Sequence, residues 1–121
     1  MTSKEPMLTG RELVDIAITN VLNKKAENIV LLNPGDQSEI AEWFLICQGN
    51  NEIQNRAIAD AIIYDLKEKN NTPWHKEGLE EGRWILLDYS DVIIHILLPE
   101  LRAYYELEKL WIDYPRTEIS E

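Results

Sequence analysis

The sequence is short of the residues that mark several classes of protein. Its 121 residues include one cysteine, Cys47, so no disulfide can form within the chain. No apolar run approaches the roughly 20 residues that a membrane-spanning helix requires. The segment 1–8 has neither the apolar stretch of a secretory signal nor the arginine-rich pattern of a transit peptide. We therefore expect a cytoplasmic chain that is not inserted in a membrane.

Basic residues are also scarce. Lys and Arg together number 12 against 22 Asp and Glu, which gives a net charge of −10. Phosphate backbones repel such a chain, so direct nonspecific binding to nucleic acid is not expected. The charge suits a basic protein partner, but it equally suits a protein that only has to stay in solution.

Residues of common catalytic and metal sites are few. The chain has two histidines, His75 and His95, and no His or Cys pair at the spacing of a metal site. His95 alternates with isoleucines along a predicted strand, which favours a hydrogen-bonded histidine near a sheet face over a catalytic base. Neither a nucleophile-elbow serine nor a phosphate-binding glycine loop is present. We therefore expect no enzyme activity, no metal and no cofactor.

A nucleotidyltransferase is the enzymatic alternative. Gly49-Asn50 stands at a predicted turn from strand to helix, where such enzymes hold a phosphate on helix amides. They also need two acids two residues apart on a strand. The only pair with that spacing, Glu106 and Glu108, falls on a predicted helix, where the two side chains do not share a face. Asp88 and Asp91 flank a predicted turn, and shaping that turn is favoured over weak metal binding.

Helices are predicted from caps and from apolar periodicity. Thr9 and Glu12 fit a capping box that opens the first helix, and Asn51 is placed to cap a second helix whose apolar stripe runs over 53–66. Pro99 suits the first turn of a last helix over 100–113, with the neighbouring residues 104 and 105 on its apolar face.

Strands are predicted from apolar runs bounded by turn residues. These runs are 28–32, 43–47, 84–88 and 92–98, the last two forming a hairpin, with a weaker edge strand at 73–76. The hairpin runs are apolar at nearly every position, which predicts burial on both faces. The order of elements predicts one α/β domain with a mixed sheet flanked by helices. We expect that domain at 9–113, after a flexible N-terminus at 1–8 and before a frayed acidic tail at 114–121.

Two segments resemble one protein family. Trp84–Leu98, WILLDYSDVIIHILL, and Arg102–Trp111, RAYYELEKLW, are similar to the signature of the Iojap family, the ribosomal silencing factors called RsfS. Residues 46–49, ICQG, and 57–60, AIAD, add to a resemblance that spans about residues 9 to 112. Two positions depart from the family pattern. Residues 49–51 read GNN where the family commonly has GTS, which is a mild change, and in the hairpin turn Ser90 stands where the family commonly has Gly. If the turn needs positive φ there, Ser costs about 1 kcal/mol relative to Gly.

The resemblance implies a fold related to nucleotidyltransferases but without their catalytic acids. It also implies a factor that binds the large ribosomal subunit through its fourteenth ribosomal protein. Docking on the face that meets the small subunit then blocks subunit joining and represses translation. Such occlusion needs well-packed anchor residues and no chemistry.

Carried over residue by residue, the resemblance gives a set of residues that dock or support docking: Trp84, Asp88, Asp91, His95, Arg102, Tyr105 and Trp111. Trp84 is the expected anchor, with a core tryptophan as the alternative, because large aromatic side chains dominate interface energies. Tyr105 and Trp111 lie on the predicted apolar stripe, which favours the core. Asp88 and Asp91 suit pairing with basic residues of a ribosomal protein, with shaping of the hairpin turn as the alternative. Arg102 suits a bridge to a carboxylate as well as a partner contact. A homodimeric scaffold that hides these aromatic residues against a second copy is the remaining alternative.

Overall fold

The chain folds as a mixed β-sheet with α-helices packed on it. The computed structural model describes residues 8–106, 109 and 114–120. Within these residues the elements are, in chain order, α1 (Gly10–Asn23), β1 (Glu27–Leu32), a 3-10 helix (Gly35–Gln37), β2 (Trp43–Gln48), α2 (Glu52–Glu68), β3 (His75–Glu77), β4 (Trp84–Asp88), β5 (Val92–Leu97), α3 (Pro99–Tyr105) and β6 (Arg116–Ile119). None of the helices described has the length and apolar character needed to cross a bilayer. The predicted α/β architecture is confirmed.

The first helix, α1, begins at the predicted capping box. Thr9 Oγ1 accepts the backbone N–H of Glu12 at 3.1 Å, and the Glu12 carboxylate accepts the backbone N–H of Thr9 at 2.9 Å. These bonds satisfy two amide donors that have no partner within the helix. Leu8, at the end of the segment predicted to be flexible, packs against the core that α1 covers, and residues 1–7 lie outside the described part of the chain.

The second helix, α2, is capped as predicted by Asn51, whose Oδ1 accepts the backbone N–H of Gln54 at 2.8 Å. Ile58, Ile62 and Leu66 are fully buried at helical spacing. Ile53, which the predicted apolar stripe includes, is 73% exposed, so that part of the prediction is wrong. In the first turn of α2 the apolar residue Ile53 therefore faces solvent and not the core.

The sheet has the strand order β3-β4-β5-β2-β1-β6. Among the strands of the described residues, β2 and β5 pair in parallel, and the other four neighbouring pairs are antiparallel. The predicted hairpin of β4 and β5 is confirmed, with Trp84 opposite Leu97 and Leu86 opposite His95. The weakly predicted edge strand is also present as β3, which pairs with β4.

Strand alternation gives the sheet two different faces. The inner face packs against α1 and α2 through one large cluster of buried side chains, which includes Ile29, Leu31, Leu45, Cys47, Ile85, Leu87, Val92, Ile94 and Ile96. The outer face carries a smaller cluster made of Val30, Leu32, Ala41, Phe44, Ile46, Ile93 and Leu97, with Trp84, Leu86 and Leu101 packed against it. Burying each large aliphatic side chain contributes about 1.5–3 kcal/mol, so the larger inner-face cluster contributes more to stability than the outer-face cluster.

Burial on both faces holds for β5, whose six residues are all buried, but not for β4. In β4 the inner-face residues Ile85 and Leu87 are fully buried, whereas Trp84, Leu86 and Asp88 on the outer face are partly exposed. The prediction for β4 is therefore wrong on one face. It lies next to the short edge strand β3, and the partly exposed side chains form an accessible border of the sheet.

The C-terminal part of the chain departs most from prediction. Helix α3 starts at Pro99 as expected, but it ends at Tyr105 because Glu106 adopts φ 48° and ψ 49°, a left-handed conformation that a right-handed helix cannot continue. The predicted continuation towards residue 113 is wrong at this point, and apart from Lys109 the rest of it lies outside the described residues.

The acidic tail also differs from prediction, because residues 116–119 form strand β6 and are not frayed. Leu32 pairs with Arg116 and Ile29 with Ile119. Without β6, strand β1 would be an edge with unpaired backbone groups. Ile119 packs against the inner-face core, so the domain extends past its expected end at residue 113.

Candidate functional site

Three of the residues suggested by the resemblance, Trp84, Asp88 and His95, lie on the outer face of the sheet, on strands β4 and β5. Trp84 and Asp88 occupy alternate positions of β4, and His95 lies opposite Leu86 on β5. Trp84 and His95 are therefore diagonal neighbours across the antiparallel pair, a distance that aromatic side chains can span.

The indole of Trp84 is held by two ring contacts and one hydrogen bond. Its Nε1–H donates to Nδ1 of His95 at 3.1 Å. The two ring centroids lie 6.1 Å apart. On the other side, the Tyr105 ring from α3 lies 5.3 Å away at an angle of 49°. The indole is half-buried, so it combines a fixed position with an accessible face.

His95 is buried, with 7% of its surface exposed. Burial lowers the pKa of its imidazole from 6.5 to about 4, because the charged form loses hydration. The ring is therefore neutral at neutral pH. Since Nδ1 accepts from Trp84, the proton of the neutral ring resides on Nε2. This matches the predicted hydrogen-bonded histidine on a sheet face.

The two tyrosines of α3 are exposed, against the prediction that they lie on a buried stripe. Tyr104 is 77% exposed and Tyr105 51% exposed, and their rings meet edge to face at 4.9 Å. The Tyr105 ring also contacts that of Trp84, and Leu86 and Leu101 pack, partly buried, against the same outer-face cluster as Trp84. We name these five residues the aromatic patch. Sequence reasoning missed Leu86, Leu101 and Tyr104 as members. Burial on both faces was predicted for β4, which carries Leu86, and α3 buries Arg102, not its tyrosines, against the sheet.

A cavity of about 300 Å³ opens beside the patch, between α3 and the turn that precedes β4. The turn is tight: Gly78 has φ 78°, and a Cβ at this position would lie 2.0 Å from the carbonyl oxygen of Trp84. The end of this turn, at Gly82, is bound to α2: the fully buried Asn55 donates from Nδ2 to the carbonyl oxygen of Gly82 at 2.8 Å. Asn55 thereby fixes the backbone that enters β4.

Asp88 and Asp91 serve the hairpin turn. Asp88 Oδ1 accepts the backbone N–H of Ser90 at 2.8 Å, and Ser90 has φ 76°, in the left-handed region that favours glycine. Asp91 is exposed at the far end of the turn, and its carbonyl oxygen accepts the backbone N–H groups of Glu42 and Trp43. Asp88 therefore lies on the same strand and the same face of the sheet as Trp84, whereas Asp91 lies apart from the aromatic patch.

Arg102 is 7% exposed and ties α3 to the sheet. Its guanidinium donates to the carbonyl oxygen of Asn28 and, at 3.3 Å, to Oε1 of Gln48. It therefore supports the helix that carries Tyr105. Trp111, the last residue of the suggested set, lies outside the described residues.

A cavity of about 690 Å³ lies beside Arg102, between α3 and strands β1 and β6. Its charged border is internally paired: Lys109 lies 2.8 Å from Glu106, and Arg116 lies 3.5 Å from Glu118. The border therefore does not concentrate charge of one sign.

The turn of Gly49 uses its own amides. The backbone N–H of Gly49 donates to Asn55 Oδ1 at 2.9 Å, and that of Asn50 donates to Gln54 Oε1 at 2.8 Å. A Cβ at Gly49 would come within 2.4 Å of Asn55 Oδ1, so the glycine is required by packing. A phosphate would have to displace these side chains. In the part of the chain that the structure describes, no cluster of three or more His, Cys, Asp or Glu is arranged to hold a metal ion.

Comparison with known proteins gives the family. The sequence model of the family described as "Ribosomal silencing factor during starvation", RsfS, matches residues 8–121. The ribosomal silencing factor RsfS of Halalkalibacterium halodurans is 43% identical over 113 residues, which cover 93% of this chain and 97% of that protein.

This chain belongs to the ribosomal silencing factor family.

The fold of this ribosomal silencing factor has a close counterpart among solved structures. The crystal structure of a protein from Chromobacterium violaceum superposes with a TM-score of 0.82 at 30% identity, covering 86% of this chain and 87% of that one. A more distant relative is a mouse protein named "Mitochondrial assembly of ribosomal large subunit protein 1". It is 27% identical over 101 residues, covering 81% of this chain and 44% of the mouse protein. The resemblance inferred from the sequence motifs is confirmed at the level of the family.

Proposed function

We propose that this ribosomal silencing factor binds the large ribosomal subunit through its fourteenth ribosomal protein, on the face that meets the small subunit. Bound there, it occupies the space that the small subunit needs, so the subunits do not join and translation is repressed. Family membership supports this proposal, and so does the mouse relative, whose name refers to assembly of the large ribosomal subunit.

The aromatic patch is the observation that carries the proposal. Tyr104 and Tyr105 are exposed and Trp84 is partly exposed, and large aromatic side chains of this kind supply most of the binding energy in protein interfaces. Trp84 is held in position, because it stands on a strand and donates a hydrogen bond to His95. A side chain held in this way loses little conformational entropy on binding.

The charge of the chain fits a protein partner on the ribosome better than ribosomal RNA. With a net charge of −10, the chain is repelled by a phosphate backbone and attracted by the basic surface of a ribosomal protein. Such attraction mainly raises the rate of association and restricts which surface is approached. It therefore complements the patch, which supplies the affinity.

Within this proposal the suggested residues divide into two groups. Trp84 and Tyr105 contact the partner, whereas His95 and Arg102, both buried, hold the contacting elements in place. Asp88 shapes the turn at the end of β4 and stays partly exposed on the same face. Asp91 contributes charge at a distance from the patch, and Trp111 remains an expectation from the family resemblance.

Repression by occlusion requires no catalysis, and the proposed factor is not an enzyme. The Gly49 turn supports this view, because its amides bond Asn55 and Gln54 and so are not free for a phosphate. Calorimetry with ATP and magnesium tests the nucleotidyltransferase alternative, which saturable binding at micromolar nucleotide would revive. Sedimentation at micromolar protein tests the homodimeric scaffold, which predicts a dimer that Tyr105→Ala dissociates.

The deciding experiment compares two exposed tyrosines on helices. Tyr105 lies in the patch, whereas Tyr64 lies on α2, which covers the opposite face of the sheet, and is 68% exposed. Tyr105→Ala should weaken binding to purified large subunits and to the isolated fourteenth ribosomal protein by about 30-fold, or about 2 kcal/mol. Tyr64→Ala should change binding less than about twofold, because surface substitutions away from an interface have small effects.

Circular dichroism on both variants checks that the fold is intact. If the unmodified chain binds neither the large subunit nor the isolated protein, the proposal is wrong. Equal losses for the two tyrosine variants would show that the aromatic patch is not the docking surface.

A further inference from the structure

Trp84 and His95 form a directed contact between two side chains that the sheet brings together diagonally. Leu97 is the direct neighbour of Trp84, and Leu86 that of His95. Neither leucine has a hydrogen-bonding side chain. The bond from Trp84 Nε1 to His95 Nδ1 at 3.1 Å is therefore the polar contact that orients the indole within the outer face.

The space around the indole makes that orientation important. The cavity of about 300 Å³ beside the patch is lined by Trp84 itself, by Leu101 and Tyr105 of α3, and by the turn residues Gly78, Glu81 and Arg83. The cavity therefore leaves one side of the ring without packing contacts. On the other side, the ring contacts Tyr105, which is itself 51% exposed and so constrains the indole less than a buried neighbour would.

We propose that His95 is a positioning residue for docking, whose Nδ1 holds the Trp84 indole in the rotamer that presents Trp84 and Tyr105 as one surface. The inference rests on the proposed function, because the surface matters only if a partner binds it. His95 itself is 7% exposed and does not form that surface.

The chemistry of His95 suits this role. An indole N–H that points into a protein interior needs an acceptor, since an unpaired buried donor costs about 1–3 kcal/mol. Imidazole offers an acceptor only while it is neutral, and burial keeps His95 neutral well below neutral pH. His95 lies on the buried strand β5, so its Nδ1 is held in position as the acceptor for the Trp84 N–H.

The proposal predicts a specific kinetic change. His95→Leu keeps a side chain suited to a buried strand but removes the acceptor. If the docking rotamer then falls to about one tenth of the population, the apparent Kd for large subunits rises about tenfold. The loss appears in the association rate constant, because fewer free molecules are competent to bind, while the dissociation rate constant changes little.

A conservative variant separates positioning from simple structural support. His95→Asn places an amide oxygen near the position of Nδ1 and should restore most of the association rate, whereas His95→Gln places its amide further from the backbone and should not. Trp84→Phe keeps a ring without a donor. In that background His95→Leu should cause no further loss of binding, since the hydrogen bond is already absent.

The free protein provides a readout that does not depend on any partner. The chain has four tryptophans, and Trp84→Phe identifies the indole N–H resonance of Trp84 in a ¹⁵N–¹H spectrum. His95→Leu should shift and broaden that resonance, and His95→Asn should return it towards its original position. Urea denaturation of each variant shows that the fold persists.

The outcomes distinguish the two claims. If the unmodified chain does not bind large subunits, the proposed function fails and the docking role of His95 fails with it. If the unmodified chain binds and His95→Leu binds equally fast with an unchanged Trp84 resonance, the positioning role alone is wrong. Equal weakening by His95→Leu and His95→Asn, with the resonance restored only in the second, would also overturn it.

Discussion

Replacing Ser90 with glycine is expected to stabilise the fold by about 0.5–1 kcal/mol. Ser90 lies at the turn of the β4–β5 hairpin with φ 76°, where the Cβ of an L-residue crowds the following carbonyl group. Its backbone N–H bonds to Asp88 Oδ1 at 2.8 Å, and this bond does not require a side chain at position 90. The substitution therefore removes strain without removing the contact that shapes the turn.

The magnitude follows from two opposing effects. A left-handed conformation costs an L-residue about 1–2 kcal/mol, and glycine escapes this cost. Glycine also gives the unfolded chain more freedom, which offsets about 0.5–1 kcal/mol. For a chain of 121 residues the remaining gain corresponds to a rise in Tm of about 2–4 °C.

Urea denaturation followed by circular dichroism measures this gain as a higher midpoint with an unchanged m-value. Ser90→Ala is the matched control, because it removes the hydroxyl group but keeps the Cβ that causes the strain. Alanine should leave the free energy of unfolding within about 0.5 kcal/mol of the original. Stabilisation by alanine equal to that by glycine would refute backbone strain as the cause.

Three further predictions concern the core and its caps. Burial lowers the pKa of His95 from 6.5 to about 4, so below pH 6.5 the unfolded chain takes up a proton on this residue more readily than the folded chain. The folded state therefore loses stability as the pH falls from 6.5 towards 4. Between pH 7 and pH 5 the free energy of unfolding should fall by about 2 kcal/mol more in the original chain than in His95→Asn, and equal slopes would contradict this. Asn55→Ala should cost about 2–3 kcal/mol in urea denaturation, since it leaves the N–H of Gly49 and the carbonyl of Gly82 without their buried partner. Thr9→Ala should cost about 1 kcal/mol by loss of the α1 cap, and a loss below about 0.3 kcal/mol would show that the cap does not hold in solution.

Much of the fold follows from local sequence features. The strands β1, β2, β4 and β5 are short apolar runs bounded by turn residues, and α1 and α2 begin at side-chain caps. Both signals depend on neighbouring residues alone. They are therefore visible without knowledge of the tertiary structure.

The parts that escaped prediction depend on distant contacts or on backbone conformation. Strand β6 is mostly polar and charged, so no apolar run marks it, and it pairs with β1, which is distant in the sequence. Helix α3 ends at the left-handed conformation of Glu106. Glycine usually occupies this conformation at the end of a helix, so a glutamate there gives no sequence signal for the end. Ile53 lies at helical spacing with the core residues, yet the first turn of α2 points it to solvent.

The candidate site was predictable only where local sequence features define it, and its tertiary contacts were not predicted. Trp84 is suggested as an anchor by its motif, but its bond to His95 follows from the register of the hairpin. Tyr104 and Tyr105 are exposed because α3 buries the charged Arg102 against the sheet, a contact that apolar periodicity does not reveal. Asn55 was missed, although a signal exists: it is a polar residue three positions before the buried Ile58, at core spacing on α2.

The most direct test of the central claim is subunit joining in a purified system. Large and small ribosomal subunits are mixed with and without the chain, and their association is followed by light scattering, with Trp84→Ala compared after circular dichroism confirms its fold. If docking on large subunits blocks joining, the unmodified chain prevents association of the subunits and Trp84→Ala no longer does so. Undiminished joining at saturating concentrations of the unmodified chain would contradict it.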